Sequence, residues 1–259
     1  NEILSEIQSN RWLTYQLFRR TFFSMYKQSF IGILWVIIMP VVNVVVFAIL
    51  NNSGIFNIGE IEVPYPIFAI SGMAFWQIFA AGLGSCGNAL TSAGDMVTRI
   101  NFSKKSLVLA PMGKTIVSFF IQFALIGILF LFYWQTPSIN ILLAPIIILP
   151  ILLLTLGIGF IVAALNTIVR DVGNILPLAI TFLMYLTPIL YVKPNIGILS
   201  HVTKYNPKYY FVSAGRDLIL EGQISEVNGF VISTLFAIIL FLGSMVVFHL
   251  TEPRIAERV

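Results

Sequence analysis

Uncharged apolar stretches recur along this chain at the length a bilayer-crossing helix needs, about 20 residues for a hydrocarbon core of about 30 Å. The first lies between Gln28 and Gly59, with 30–50 as its most apolar part. The second falls between Glu62 and Asp95 and is read as 66–90. It carries Gly72, Gly82, Gly84 and Gly87, small residues that let helices approach closely in lipid. No charge at all occurs between Lys114 and Arg170, which is room for two spans, 115–134 and 141–168, turned by the polar run 135–140. A fifth span covers 172–192 and a sixth 229–250. The pattern predicts an all-α polytopic membrane protein of six transmembrane helices, with 1–259 as one transmembrane domain and no soluble domain beside it.

Three segments do not fit a span. In 11–27, Tyr15, Phe18, Phe22, Met25 and Tyr26 fall on one face at helical period, with Gln16, Arg20, Ser24 and Lys27 opposite. That is the pattern of an interfacial amphipathic helix, its basic side turned to headgroups or a partner. The loop 91–114 mixes Asp95, Arg99, Lys104 and Lys105 with Met96, Val97, Ile100 and Phe102, a content that suits a docked surface better than a bare solvated loop. The stretch 193–228 is long for a connection. Asn206-Pro207 reads there as a helix start, Asn capping and Pro in the first turn, opening a helix over 208–221. With the short apolar piece 196–202 before it, the segment is expected to form a re-entrant external hairpin.

Composition agrees with the pattern. Hydrophobic residues make up 58% and charged residues 10%, against about 25% charged in ordinary soluble domains. The mean hydropathy is +0.93. No cleavable signal peptide is expected, because the first strongly apolar run starts near Phe30 and is too long for one. Orientation follows from Lys and Arg. Six spans put Arg11, Arg19, Arg20, Lys27, Arg99, Lys104, Lys105, Lys114, Arg170, Arg254 and Arg258 on one side. Only Lys193, Lys204, Lys208 and Arg216 fall on the other. Both termini are therefore expected in the cytoplasm.

Catalytic and metal chemistry find no foothold. One cysteine, Cys86, excludes an internal disulfide, and His201 and His249 lie far apart in sequence. Gly113-Lys114-Thr115 resembles the end of a phosphate-binding P-loop, but the glycine that motif needs five residues earlier is Val108. No charge lies within the core of a predicted span, where ion-coupled carriers place ionisable groups. Transport by such a chain would draw energy from elsewhere. Asn43 and Asn88 read as hydrogen-bonding or helix-end residues.

The order of features resembles the membrane subunit of type-2 ABC exporters, in the branch that exports O-antigen, capsule and teichoic-acid polymers. Tyr26, Gly32, Leu34-Trp35 and Pro40 lead into the first span as that family's aromatic and Leu-Gly-x-x-Trp-x-x-x-x-Pro pattern does. Ser71-Gly72 and Trp76 sit in the second span. Asn166 to Arg170-Asp171 follows Asn-x-x-x-Arg-Asp, Thr187-Pro188 through Tyr191 ends the fifth span, and Asn206-Pro207 begins the external helix. Phe102-Ser103 departs from the family's usual Phe-Pro, which touches the shape of the cytoplasmic loop.

The resemblance implies a permease subunit in a bacterial cytoplasmic (inner) membrane, not itself an enzyme, with no cofactor or metal of its own. It implies a second copy of the chain, two ATPase subunits holding ATP and Mg, and a lipid-linked polysaccharide as substrate, with no nucleic acid involved. The ATPase would be coupled through Asp95, Met96, Arg99, Ile100, Phe102, Lys104, Lys105, Arg170 and Asp171. A helix comprising Tyr15, Phe18, Arg20, Phe22, Tyr26 and Lys27 would lie in the interface. The first and fifth spans would face the pore, which selects Phe30, Trp35, Phe47, Phe182, Tyr185 and Tyr191 as rings on which sugars could slide. An exporter of drugs or lipids, and a membrane scaffold or lipid-modifying protein, remain the alternatives.

Overall fold

The computed structural model describes residues 5, 8–27, 32–53, 59, 61–94, 103–194 and 196–255. Among them the chain is helix and turn, with no strand. In chain order the helices are α1 Arg11–Lys27, α2 Trp35–Asn52, α3 Tyr65–Gly87, α4 Ala89–Ala93, α5 Lys105–Phe132, α6 Ile148–Ile168, α7 Asp171–Leu186, α8 Ile198–Lys204, α9 Pro207–Leu220 and α10 Val227–Ile255. Short 3-10 turns, Gly32–Leu34 and Ile139–Ile147, lead into α2 and α6. Among the described residues, four stretches are long and apolar enough to cross a membrane: α3, α5, Ile139–Ile168 and Val227–Glu252. Trp35–Leu50 and Asp171–Leu186 are apolar but shorter.

The helix ends follow local chemistry. Pro66, in the first turn of α3, costs no hydrogen bond, because the first amides of a helix have no acceptor within it. At the other end the Asn88 side chain turns back and donates to the Gly84 carbonyl at 2.9 Å, which closes the helix. The Asn206 side chain accepts from the Lys208 N–H at 3.1 Å, with Pro207 in the first turn of α9. That cap fixes where α9 starts.

Helix α3 is the axis of the bundle. Ile67, Ala69, Met73, Ala74, Phe75, Trp76, Ile78 and Phe79 are all essentially buried. It is flanked by α5, α6, α9, α2 and α7, and α10 packs along α6. This inverts the usual soluble pattern. The central helix is apolar all round, and the peripheral ones keep bare apolar faces outward, as lipid permits. Two close approaches depend on glycine. A Cβ on Gly72 would fall 2.5 Å from the Arg216 guanidinium and 2.7 Å from the Ile189 carbonyl. A Cβ on Gly113 would fall 2.5 Å from the Phe18 ring, so the bare α5 backbone there is the seat on which α1 rests.

The two ends of the bundle are tied differently. At one end the carboxylate of Glu252 accepts the Lys104 backbone N–H at 2.7 Å and pairs with the Lys105 ammonium. At the opposite end, α9 is sealed among α3, α10 and the Ile139–Ile147 turn, with Phe211, Val212, Ala214 and Ile219 buried. The 135–140 connection reaches this helix too. Asn140 donates its side-chain N–H to the Gly222 carbonyl at 2.6 Å, and the Ser138 N–H reaches Ile219 at 3.3 Å.

Candidate functional site

The charged residues gather at the two ends, and between them the interior is mostly apolar. At the Lys105 end, α5 starts at Lys105, ten residues before the uncharged run opens at Thr115. Lys105 is fully buried, paired with Glu252 on α10, while Lys104 is nearly buried. The Lys105 side chain faces α10 and not solvent, so its charge holds α5 to α10. Asp95, Met96, Arg99, Ile100 and Phe102 lie outside the described residues.

Next to this pair sits a second polar joint. The Asn166 amide, 2% exposed, donates to the Gly87 carbonyl at 3.0 Å and to the Asn88 side-chain oxygen at 3.0 Å. It stitches the end of α6 to the break between α3 and α4. Asn88 thus has an interhelical bond, whereas Asn43 bonds only within its own helix, to the Met39 carbonyl at 3.1 Å. Arg170 and Asp171 are both exposed. Asp171 occupies the first turn of α7, where a carboxylate complements the unpaired amides and the positive end of the helix dipole. Arg170 lines an open polar cavity of about 470 Å³ together with Asn88, Thr91, Asn166 and Asn174. The structure therefore gathers Asn166 and Arg170 of the Asn-x-x-x-Arg-Asp run with Asn88 around one cavity, while Asp171 stands outside its lining.

Helix α1 lies across α5. Phe18 and Phe22 are half-buried, their rings 5.7 Å apart, with Phe18 over Gly113. Tyr15 is exposed, as are Trp12, Phe23 and Arg20, so apolar rings remain outside the contact with α5. The side chains of Met25, Tyr26 and Lys27 lie outside the described residues.

The aromatic candidates separate into two groups. Trp35 is 43% exposed on α2, and Phe182 and Tyr185 are 65% and 55% exposed on α7. With Ile175 and Leu178 the last two make a bare stripe along α7, at spacings of 3, 4 and 3 residues. Phe47 and Tyr191 are buried instead. Phe47 packs with Val44 into the core around α3, and the Tyr191 hydroxyl donates to the Tyr185 carbonyl at 2.7 Å. That bond fastens the irregular backbone after α7. Phe30 lies outside the described residues.

Sequence reasoning did not single out Glu252, Arg216 or Lys208 as tied residues. Arg216 is buried, its guanidinium 3.8 Å from the Phe68 ring centre, and donates to the Pro188 and Ile189 carbonyls at 3.2 and 2.8 Å. Those carbonyls belong to the chain just beyond α7, where no helix can satisfy them. Lys208 is also buried, its ammonium 4.4 Å from the Phe79 ring centre and 5.4 Å from that of Trp76. The available signal was the high apolar content around two cations in 193–228, which favours their burial against aromatic rings.

A weaker tie closes this end. Glu226 accepts from the Lys193 ammonium at 2.7 Å and the Tyr209 hydroxyl at 2.6 Å. Burial pushes its carboxyl up, but the hydrogen bonds from Lys193 and Tyr209 and the Lys193 charge outweigh this and hold it below its ordinary range. A carboxylate depressed in the fold adds stability that is present above its unfolded pKa and lost as pH falls through the folded one. Glu226→Gln is therefore expected to melt below the wild type at neutral pH, by a gap that narrows in acid below the usual Glu value of about 4.3. A melting difference unchanged between the two conditions would show that this charge contributes nothing.

With that geometry in view, the chain is a multi-pass membrane protein built around one buried helix, with polar joints at its ends. The sequence pattern of the ABC-2 type transporter family matches residues 13–220. The chain belongs to that family, whose members are membrane subunits of transporters rather than enzymes. A full-length relative is the O-antigen export system permease protein RfbA of Myxococcus xanthus, 23% identical over 261 residues, covering 99% of this chain and 99% of that protein.

Proposed function

We propose that this permease exports a lipid-linked polysaccharide across the bacterial inner membrane, as one of two identical subunits driven by two copies of a separate ATPase. The observation that carries the reading is the bare aromatic face of α7, with Phe182 and Tyr185 outward, matched by the outward Trp35 on α2. Trp35 opens α2 and Tyr185 stands one residue before the end of α7, with Phe182 about a turn further in. A second copy facing these helices would cover them and enclose a path lined by ring faces. Sugars stack on such faces without fixed hydrogen bonds, so a long polymer could slide. The full-length likeness to an O-antigen permease supports the same choice of substrate.

In this arrangement α2 and α7 complete six crossings, both termini face the cytoplasm, and α8 and α9 form a re-entrant hairpin in the outer leaflet. The ATPase docks on 91–105, with Arg170 and Asp171 beside it and the Asn88–Asn166 joint behind. ATP and Mg belong to that partner. Movement there would reach α3, α6 and α7 together through Asn166.

Reconstitution tests the function. Vesicles holding this chain and its ATPase should move a lipid-linked glycan only when ATP is supplied. ATP hydrolysis without glycan movement would remove the polymer reading. The aromatic path has its own check. Trp35→Ala and Tyr185→Ala should each lower glycan export roughly three- to tenfold, the range expected for one lost ring-stacking contact, while the complex still assembles. Wild-type export from both variants would remove the aromatic path.

A further inference from the structure

Helices α2, α3 and α5 leave between them a crevice of about 300 Å³ that has a polar wall. Lys114, Ser118 and Gln122 stack on one face of α5 at i, i+4 and i+8, over about 12 Å of helix. All three line the crevice, and Gln77 of α3 faces them. The opposite wall, from α2, is apolar, with Val36 and Met39, and Trp35 near its start. Gln122 is 2% exposed, and its side-chain oxygen has no hydrogen-bond partner. A second cavity, of about 450 Å³, lies between α1, the α3–α4 break and α5, and Lys114 lines it as well. There Arg20 joins Lys114, among the hydroxyls of Thr21, Ser85 and Ser92. Among the described residues no carboxylate pairs with Lys114, which is half-buried.

A half-buried unpaired cation and a buried amide without a partner are both costly in a bilayer. Each is relieved by a ligand with an anionic head, a hydrogen-bonding middle and an apolar tail. We infer that these joined cavities hold one anionic phospholipid of the membrane leaflet on the Lys114 side. Its phosphate sits between Lys114 and Arg20, its ester region meets the Ser118 and Gln122 wall, and one chain lies against α2. The walls come from a single copy of the chain, and their size suits one headgroup and one chain, so the site is a resident lipid's and separate from any polymer path. The inference rests on the membrane placement of α5 and not on the identity of the cargo.

Native mass spectrometry of the detergent-purified, full-length protein tests this. The wild type should retain phosphatidylglycerol roughly tenfold over phosphatidylcholine, the size of effect expected for a charge-assisted contact. Lys114→Gln should abolish that preference. Lys204→Gln, an exposed cation at the opposite end, should leave it intact. Gln122→Leu removes the unpartnered amide, so it should melt no lower than the wild type yet retain severalfold less phosphatidylglycerol. That variant decides the matter should Lys114→Gln fail to fold. Equal retention of the two lipids, or a preference that survives the Gln122 and Lys114 changes, overturns the inference. Displacement of phosphatidylglycerol by an added lipid-linked glycan would give the cavity to cargo and also overturn it.

Discussion

Glu252→Ala is expected to unfold the Lys105 end of the bundle, at a cost of about 3–5 kcal/mol, the range for removing one partner of a buried ion pair. Lys105 has no exposure and Glu252 very little. Removing the carboxylate withdraws this partner from an ammonium held between α5 and α10, and frees the Lys104 N–H that the same carboxylate accepts. The double variant Lys105→Met, Glu252→Leu is expected to recover most of the stability, because a buried pair and an apolar pair of similar volume differ little. Thermal melting of the purified protein separates these cases. If Glu252→Ala melts with the wild type, the pair contributes nothing to stability. Recovery of stability in the double variant without recovery of transport would show that the pair also passes motion from the start of α5 to α10.

The helical, membrane-crossing class was open to reading because it follows from a local property, the length of uncharged runs. The helices α3, α5 and α10 each contain such a run. Local cap chemistry was equally legible at Asn206-Pro207, because the side chain and the amide it satisfies are two residues apart. What sequence could not reveal is pairing over distance. Lys105 and Glu252 are separated by 147 positions and Asn88 and Asn166 by 78. A charge at the edge of an apolar run looks like a solvated flank until its partner is known. The same limit applies to the rings. Phe47 and Phe182 both stand in apolar spans, yet one is 7% exposed and the other 65%. Period alone could not tell the face turned to α3 from the face turned outward.

Helix α9 is where these limits meet, because its two buried cations make the segment look more polar than its setting is. Lys208 rests on aromatic rings from α3, and Arg216 reaches past Gly72 to the chain beyond α7. The bundle's central helix and the end of α7 are thus clamped by one segment. The Asn206 side chain adds to this by donating to the Thr187 hydroxyl at 2.8 Å. Any movement of α7 at this end must carry α9 with it or break these bonds.

Arg216→Leu is expected to break them. It removes the donors that satisfy the Pro188 and Ile189 carbonyls in a setting with little water, and each carbonyl left unpaired costs roughly 1–3 kcal/mol. The loss is moderated because the Arg216 Nε has no partner of its own, so part of the cost of burying the guanidinium is already unrepaid. A net fall of about 3 kcal/mol is therefore expected. Arg216→Lys should rescue little of it, because both bonds come from the far Nη2 of a planar group that also stacks on Phe68, and the shorter Lys side chain cannot do both. Melting reads the stability, and protease accessibility of the 187–206 segment reads the local release. If Arg216→Leu stays as protected there as the wild type, the guanidinium only fills space and the clamp on α7 comes from Asn206 and Tyr191 instead.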